Sequence, residues 1–433
     1  MEAKDAKDFE DKDIILKGWV QHLRRGKKVA FLELRDRTGT IQCVSDIPFT
    51  GVTRESCIQI NGKVIRDVRS KLGYEIKVDS YTIISGAEDV SGIMSQDASV
   101  PTQLDQRHMR IRGPRTSKIL KIRSAIISAF RDHLKDYVEL HPPTLVKTLC
   151  EGGSDLFPVK YFDEEVSLTQ SSQLYLEPGL SALGKVYCMQ SSYRAEKSTG
   201  PRHLTEYLHL EAEIPFIDFE DLLQEVERLV TKTATKIVDD PVYGPMLQEL
   251  RKEFGQDPLI LPTKPFKRMT YDHAIEYCKT HQIYKPEGTP YEYGEDIPSA
   301  PERKMIDQIG EPVLMTRFPA EMKSFYMKRT SDGPKEQSGK YRETESVDVL
   351  LPGVGEIIGG SMRIDNYDEL YQQMKDSGMS IDEYQWYLDV RKYGSCPHGG
   401  YGLGVERFVM WMCGLPHIRE ACLFPRFMGR CTP

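Results

Sequence analysis

Between Ile14 and Ile84 the chain breaks into five short runs of alternating apolar and polar residues, and from Thr116 onward its apolar residues recur every three or four positions. This change of period limits the fold, because strand side chains alternate with period two and helical ones repeat at 3.6. The five runs are Ile14–Val20, Val29–Arg35, Thr40–Val44, Ile58–Val64 and Tyr74–Ile84, each bounded by turn-forming residues. So many short strands in one compact stretch predict a small β-barrel. After the switch, Ile119, Ile122, Ile126, Phe130, Leu134 and Tyr137 lie on one helical face, until "HPP" (141–143) stops the helix. That apolar stripe suits a domain core and a subunit interface equally. The expected architecture is α+β: a barrel over 1–89, an aperiodic linker over 90–112, and a larger domain over 113–433.

A chain of 433 residues can bury two cores. No apolar run approaches the roughly 20 residues that cross a bilayer, and the opening "MEAKDAKDFEDKD" is charged where a secretory signal is apolar. A cytosolic protein with no membrane partner is expected. Nine cysteines without a CxxC pair argue against a disulfide framework and a structural zinc site. The net charge of -7 does not itself suggest a nucleic-acid partner. A local basic cluster does: Arg24, Arg25, Lys27 and Lys28 precede one of the barrel strands, and the OB-fold is a small barrel that binds oligonucleotides on one face. Any other small β-barrel fits the strand pattern as well.

"RAEKSTGPRHLTE" (194–206) gathers charge around a turn-forming run, flanked by apolar Val186–Met189 and alternating Tyr207–Glu211. A long hairpin is predicted. On its strands Arg194 and Glu196 share a face, as do Tyr207, His209 and Glu211. Guanidinium, aromatic ring and carboxylate in that arrangement suit a phosphate, a nucleobase and a metal or ammonium group.

Farther on, an amphipathic stretch runs from Phe219 to Val238, and a proline-punctuated region from Pro241 to Pro301 reads as an insertion with its own small elements. Strand patterns follow at Glu345–Leu351 and Glu356–Ile364, and the chain closes on "GGYGLGVERFVMWMCG" (399–414). Gly400, Gly402 and Gly404 before a helix could cradle phosphate, but such a run is more often a tight turn, and Rossmann and P-loop spacings are absent.

In combination these stretches resemble the three signature motifs of the class II aminoacyl-tRNA synthetases, in order. The front segment "GWVQHLRRGKKVAFLELRDRTGTIQ" resembles the anticodon-binding OB domain of the aspartyl, asparaginyl and lysyl subgroup. "LTQSSQLYLE" (168–177), "GEIIGGSMRI" (355–364) and "HGGYGLGVERF" are most similar to its cytosolic asparaginyl members. The resemblance implies an OB barrel followed by a catalytic domain with an antiparallel sheet flanked by helices, ATP as co-substrate, Mg2+ as cofactor, and L-asparagine and tRNA(Asn) as partners. It also implies a homodimer formed through the first-motif helix. Cytosolic members often carry an extra basic N-terminal domain, which is not expected from this short N-terminus.

Carried over position by position, the resemblance implies that Arg194 holds the α-phosphate and Arg407 the γ-phosphate. Glu196 receives the adenine amino group, Tyr207 stacks on the ring, and Arg202, His203 and Leu204 belong to the loop closing over the pyrophosphate, with Gly404 beside the nucleotide. Glu356, with Asp348, coordinates magnesium. Glu356 and Arg363 are an odd number apart, so a bulge at Gly359-Gly360 is expected to bring both to one face. For the amino acid, Arg363 meets the side-chain carbonyl, Glu211 the amide or the ammonium, and Gln173 and Glu151 the ammonium. Leu176 stands where aspartyl enzymes have a lysine paired with the substrate carboxylate. Pro178, just after "QLYLE", is expected to end or kink that helix. On the OB face Phe31 stacks on the central anticodon base, Gln42 reads its edge and Arg24 adds a contact, although pattern alone places Phe31 more readily in the barrel core.

Three rival functions are weighed against this. A non-catalytic RNA-binding paralogue does not require the whole ATP set, a free-asparagine-forming relative lacks the barrel, and a non-discriminating aspartyl enzyme would carry lysine in place of Leu176.

Overall fold

The computed structural model describes residues 1–433 apart from 91, 94–97, 149, 151–155, 199, 263–264 and 332–342. It divides into two compact units, Met1–Arg110 and Ile111–Pro433.

The first unit is a closed barrel of β1 (Asp13–Arg25), β2 (Ala30–Arg35), β3 (Thr40–Ser45), β4 (Cys57–Arg66) and β5 (Tyr74–Ser85), in the order β1-β2-β3-β5-β4. Burial alternates strictly along β2, so Ala30, Leu32 and Leu34 fill the barrel while Phe31, Glu33 and Arg35 face outward. A short 3-10 helix at Ala3–Phe9 adds Ala3 and Ala6 to the same core. This cap was not expected from so charged a segment. Two further short helices, Val100–Asp105 and Arg107–Arg110, occupy the stretch read from sequence as aperiodic.

The second unit is built on an eight-stranded sheet. Its strands are β6 (Val138–Glu139), β10 (Val186–Tyr193), β11 (Glu206–Pro215), β12 (Lys267–Thr270), β13 (Val313–Thr316), β14 (Ser346–Leu351), β15 (Gly355–Met362) and β16 (His398–Gly404). The order is β12-β13-β14-β15-β16-β11-β10-β6. The pairings are antiparallel except at the two edges, where β12 runs parallel to β13 and β6 parallel to β10. The expected antiparallel sheet is present, with parallel pairings only at its two edges, and the proline-punctuated stretch supplies an edge strand to it rather than standing apart. A separate three-stranded sheet joins β7 (Leu145–Val146), β9 (Glu164–Leu168) and β8 (Pro158–Tyr161).

Helices cover the sheet. The helix Pro114–His133 starts with proline at its first turn, where no N–H partner is lost. Its Ile119, Ile122, Ile126 and Phe130 are buried in the main core of this same chain, with Phe130 edge-on to Phe408 at 5.0 Å. The stripe left open between core and interface is therefore core. The helix Phe219–Val238 begins with a reciprocal capping box of Asp218 and Asp221 and buries Leu222, Val226, Leu229 and Val230. The helix Val405–Cys413 ends at Gly414 in the left-handed region, φ 65°. No helix among the described residues is long and apolar enough to cross a membrane.

Candidate active site

A cavity of about 430 Å3 opens over the centre of the large sheet. Its floor comes from β11, whose neighbours are β10 and β16. The predicted hairpin is present, with Tyr193 opposite Glu206, but Arg194 and Glu196 lie just past β10 in the connecting loop. The loop still brings them together: Arg194 Nη1 is 3.8 Å from Glu196 Oε1, and the Arg194 guanidinium lies 5.8 Å from the Tyr207 ring. His203 Nε2 is 4.0 Å from Glu196 Oε2. Burial, then Arg407 and Arg202, hold the His203 imidazole below its usual range, favouring the neutral ring. His203 Nδ1 and Arg202 Nε are buried with no hydrogen-bond partner among the described residues. The Arg202 Nε–H, a buried donor left in that state, suits an incoming acceptor such as a phosphate oxygen. Leu204 packs into the core beneath.

Three acids and three bases form the first cluster. Arg407 Nη1 donates to the Glu356 carboxylate and to its carbonyl, both at 3.0 Å. Asp348 pairs with Lys323 at 3.0 Å, and Glu302 with Arg202 at 2.9 Å. Burial opposes ionisation of Glu356, but Arg407, Arg202 and Lys323 outweigh it and hold its pKa down at about 2. Asp348 and Glu302 follow the opposite balance: burial, with Glu356 nearby, lifts them to about 6 and about 7 against the pull of Lys323 and Arg202. A Cβ at Gly359 would sit 3.6 Å from Glu356 Oε1 and 3.7 Å from Asp348 Oδ1, so the two carboxylates flank one bare stretch of backbone. Hard oxygen donors so placed fit Mg2+.

The parity problem is solved one step earlier than the sequence suggested. The β14–β15 register slips between Leu350↔Glu356 and Val349↔Ile358, so the bulge residue is Ile357 and not the Gly359-Gly360 pair. The slip places Glu356 on the cavity side with Gly359 and Arg363.

The glycine-rich run before the last helix is likewise not a phosphate-cradling turn. Residues 398–404 are strand β16, opposite β11, with Glu211 across from Gly402 and Glu213 across from Gly400. A methyl group at Gly402 would collide with the His209 imidazole, and one at Gly400 with the Glu213 carboxylate. The glycines clear space for polar side chains of the neighbouring strand.

The second cluster surrounds Glu211. It accepts from the Ser172 N–H at 2.8 Å and from the Ser171 hydroxyl, and lies 3.4 Å from His209 Nδ1. His209 also meets Ser192 at 3.0 Å and the Tyr207 ring at 5.3 Å, linking the two clusters. Gln173 lines the cavity and donates to Glu177 at 3.1 Å. Arg363, 3% exposed, reaches Glu213 at 2.6 Å and the Ser361 hydroxyl at 2.6 Å. Behind it Glu177 is bonded to Arg391, to Tyr387 at 2.8 Å and to His398 at 3.1 Å. Burial disfavours the Glu177 carboxylate, but Arg391 and His398 hold it well below the usual range. Glu177, Glu213 and His398 approach closely enough to enclose an ion, yet Arg391 and Arg363 already compensate these carboxylates.

One expectation at this end needs correction. Leu176 does not line the cavity: it is fully buried with Leu180, Val186 and Cys188, beneath the wall rather than on it. Pro178 interrupts the element as expected: the α-helix Gln173–Leu176 ends just before it, Glu177–Gly179 is a 3-10 turn, and α-helix resumes only at Leu180–Leu183. Glu151 lies outside the described residues. Sequence reasoning missed Glu213, Glu302, Lys323 and Glu177 as cavity or supporting groups. Period two from Glu211 could have found Glu213, whereas Glu302 and Lys323 come from elements that meet the site only in the folded sheet.

On the barrel, a second cavity of about 360 Å3 is lined by His22, Arg24, Phe31 and Gln42 among others. Phe31 faces outward under the Arg24 guanidinium at 4.9 Å, not into the core, and Gln42 donates to Glu75 at 2.8 Å.

With the fold and both cavities in view, comparison with known proteins gives a consistent answer. Residues 99–428 match the family model of tRNA synthetases class II (D, K and N), and residues 14–84 match that of the OB-fold nucleic acid binding domain. The chain belongs to the class II tRNA synthetases of this D, K and N group. Within it, a Bos taurus protein named asparagine–tRNA ligase, cytoplasmic, is 47% identical over 447 residues, covering 100% of this chain and 78% of its own. The human protein of the same name is 49% identical, covering 96% and 76%. Among solved structures, the Entamoeba histolytica asparaginyl-tRNA synthetase in complex with asparaginyl-adenylate superposes with a TM-score of 0.91 at 45% identity, covering 100% of this chain and 99% of that one. The Pyrococcus horikoshii asparaginyl-tRNA synthetase complexed with asparaginyl-adenylate gives 0.88 at 35% identity, with the same coverage.

Proposed function

We propose that this chain ligates L-asparagine to tRNA(Asn), in the cytoplasm, by way of an asparaginyl-adenylate. The observation that carries the reading is one cavity holding two different clusters: arginines and carboxylates around Glu356, and a hydrogen-bonding set around Glu211 and Arg363, joined through His209. Full-length similarity to asparagine–tRNA ligases and to adenylate-bound structures agrees with it.

In the first step the asparagine carboxylate attacks the α-phosphorus of ATP and pyrophosphate leaves. The attacking group is already ionised, so no general base is needed, and positioning and electrostatics carry the step. Arg194 steadies the α-phosphate and Arg407 the γ-phosphate, while Tyr207 stacks on adenine and Glu196 accepts from its amino group. Arg202, with its buried Nε–H, and His203 face the pyrophosphate. Asp348 and Glu356 would hold Mg2+, which when bound neutralises charge on the phosphate oxygens. Glu211, Gln173 and Arg363 orient the amino acid. In the second step a terminal ribose hydroxyl of the tRNA attacks the adenylate carbonyl and AMP leaves.

Arg24, Phe31 and Gln42 form the anticodon contact, Phe31 offering a stacking face. A homodimer through 113–146 follows from family likeness. Because the Pro114–His133 stripe is spent on the core, the exposed Val138 and Leu145 are the apolar residues left to support it. A stable monomer in sedimentation at micromolar concentration would contradict the dimer. The function itself is tested by charging a tRNA(Asn) transcript with labelled asparagine. Acylation that Arg194→Ala abolishes supports the reading, and absence of acylation by the unaltered chain rejects it.

A further inference from the structure

We infer that Glu302 is a positioning residue for the nucleotide phosphates, fixing with one carboxylate both the loop arginine Arg202 and the main chain at Glu356. The inference rests on the reading of the cavity as an ATP site and deepens it.

Glu302 projects from the first turn of the helix Ser299–Ile309, and its side chain is 9% exposed. Its Oε1 lies 2.9 Å from Arg202 Nη2 and accepts from the Glu356 N–H at 3.2 Å. Arg202 Nη1 in turn donates to the Val354 carbonyl at 2.8 Å. Between them sits Gly355, at φ 85°, and a methyl group there would collide with the Arg202 guanidinium and come within 2.7 Å of Glu302 Oε1. The backbone has no side chain at the one point where the acid, the guanidinium and the turn meet. The same helix holds the turn a second time, Asp307 accepting from the Gly353 N–H at 2.6 Å.

Two consequences follow. Arginine has about 2 kcal/mol of rotamer freedom, and a side chain already fixed loses less of it when a phosphate arrives. Arg202 also shares its cavity with Arg194, Lys323 and Arg407. A local carboxylate offsets the mutual repulsion of these cations before ATP brings its own charge. Because Glu302 holds the backbone N–H of Glu356, the loop carrying Arg202 and the start of β15 carrying Glu356 are set by the same oxygen.

The test is calorimetric titration of the full-length protein with magnesium and ATP, alongside pyrophosphate exchange. Glu302→Ala should weaken Mg·ATP binding about tenfold to a hundredfold, the effect of leaving buried donors unpaired, with KM for asparagine unchanged. Glu302→Gln keeps an acceptor oxygen but not the charge and should lose clearly less affinity than the alanine variant, whereas Glu302→Asp, one methylene short, should behave like the alanine variant. In an Arg202→Ala background, Glu302→Ala should add less than it does alone, because the two act as a unit. Unaltered Mg·ATP binding by Glu302→Ala, equal rises in KM for ATP and asparagine, or full additivity with Arg202→Ala would each overturn the role. Should the alanine variant not fold, the glutamine and aspartate variants decide: equal binding by both would overturn it. Failure of the unaltered protein to bind Mg·ATP would instead overturn the ATP site itself.

Discussion

Arg363, which lines the cavity, forms a forked ion pair with Glu213 behind it, with Nη2 to Oε1 at 2.6 Å and Nε to the same oxygen at 3.2 Å, both side chains almost fully buried. The arginine proposed to meet the substrate's side-chain carbonyl is therefore already neutralised. It can donate a hydrogen bond to asparagine without offering a net positive charge to aspartate. Glu213→Gln removes that compensation while keeping a carbonyl acceptor. The ratio of kcat/KM for asparagine over aspartate should fall by about tenfold or more, and parallel exchange assays with the two amino acids would measure it. An unchanged ratio would show that Glu213 takes no part in selection.

Glu177 supports the same wall from behind, with Arg391, Tyr387 and His398 as partners. Glu177→Gln leaves the fully buried Arg391 without its counter-charge and should destabilise the fold by about 3–5 kcal/mol. The pH dependence has a definite sign. The carboxylate is held below its usual 4.5 in the folded state, so its stabilisation is present above that value and is lost as pH falls through the carboxylate range. Denaturant melts of the two proteins should converge at acid pH, and a gap that widened there would contradict the assignment.

Gly402→Ala places a methyl group against the His209 ring, which lies between Tyr207 and Glu211. Overpacking of this kind costs about 1–3 kcal/mol. It should also disturb adenine and asparagine binding together, raising both KM values in pyrophosphate exchange. An effect on melting temperature alone would separate His209 from the site.

On the barrel, Phe31→Ala should raise KM for tRNA about tenfold or more, from the roughly 1 to 3 kcal/mol that stacking contributes per base. Pyrophosphate exchange without tRNA should be unaffected. Aminoacylation and exchange measured side by side would distinguish this from a general loss of fold.

The parts of this molecule legible in its sequence are those written locally. The barrel strands follow from alternation, the Phe219–Val238 helix from its periodicity and cap, and the cavity-facing trio Tyr207, His209 and Glu211 from period two along one strand. Features set by pairing across strands were less accessible. The bulge falls at Ile357 because of its register against β14, and the glycines of 399–404 answer to side chains on β11. Leu176 reads as a selectivity position by resemblance, yet it packs under the wall because the short helix carrying it turns that face toward Val186 and Cys188. Glu302 lies outside every recognised motif and reaches the site only through its helix's packing against β14 and β15.

Activation of asparagine by ATP in this cavity is checked by pyrophosphate exchange of the purified protein without tRNA, run with asparagine and aspartate in parallel. Exchange is expected with asparagine, and about a hundredfold less with aspartate. Comparable exchange with aspartate, or none with either amino acid, would contradict it.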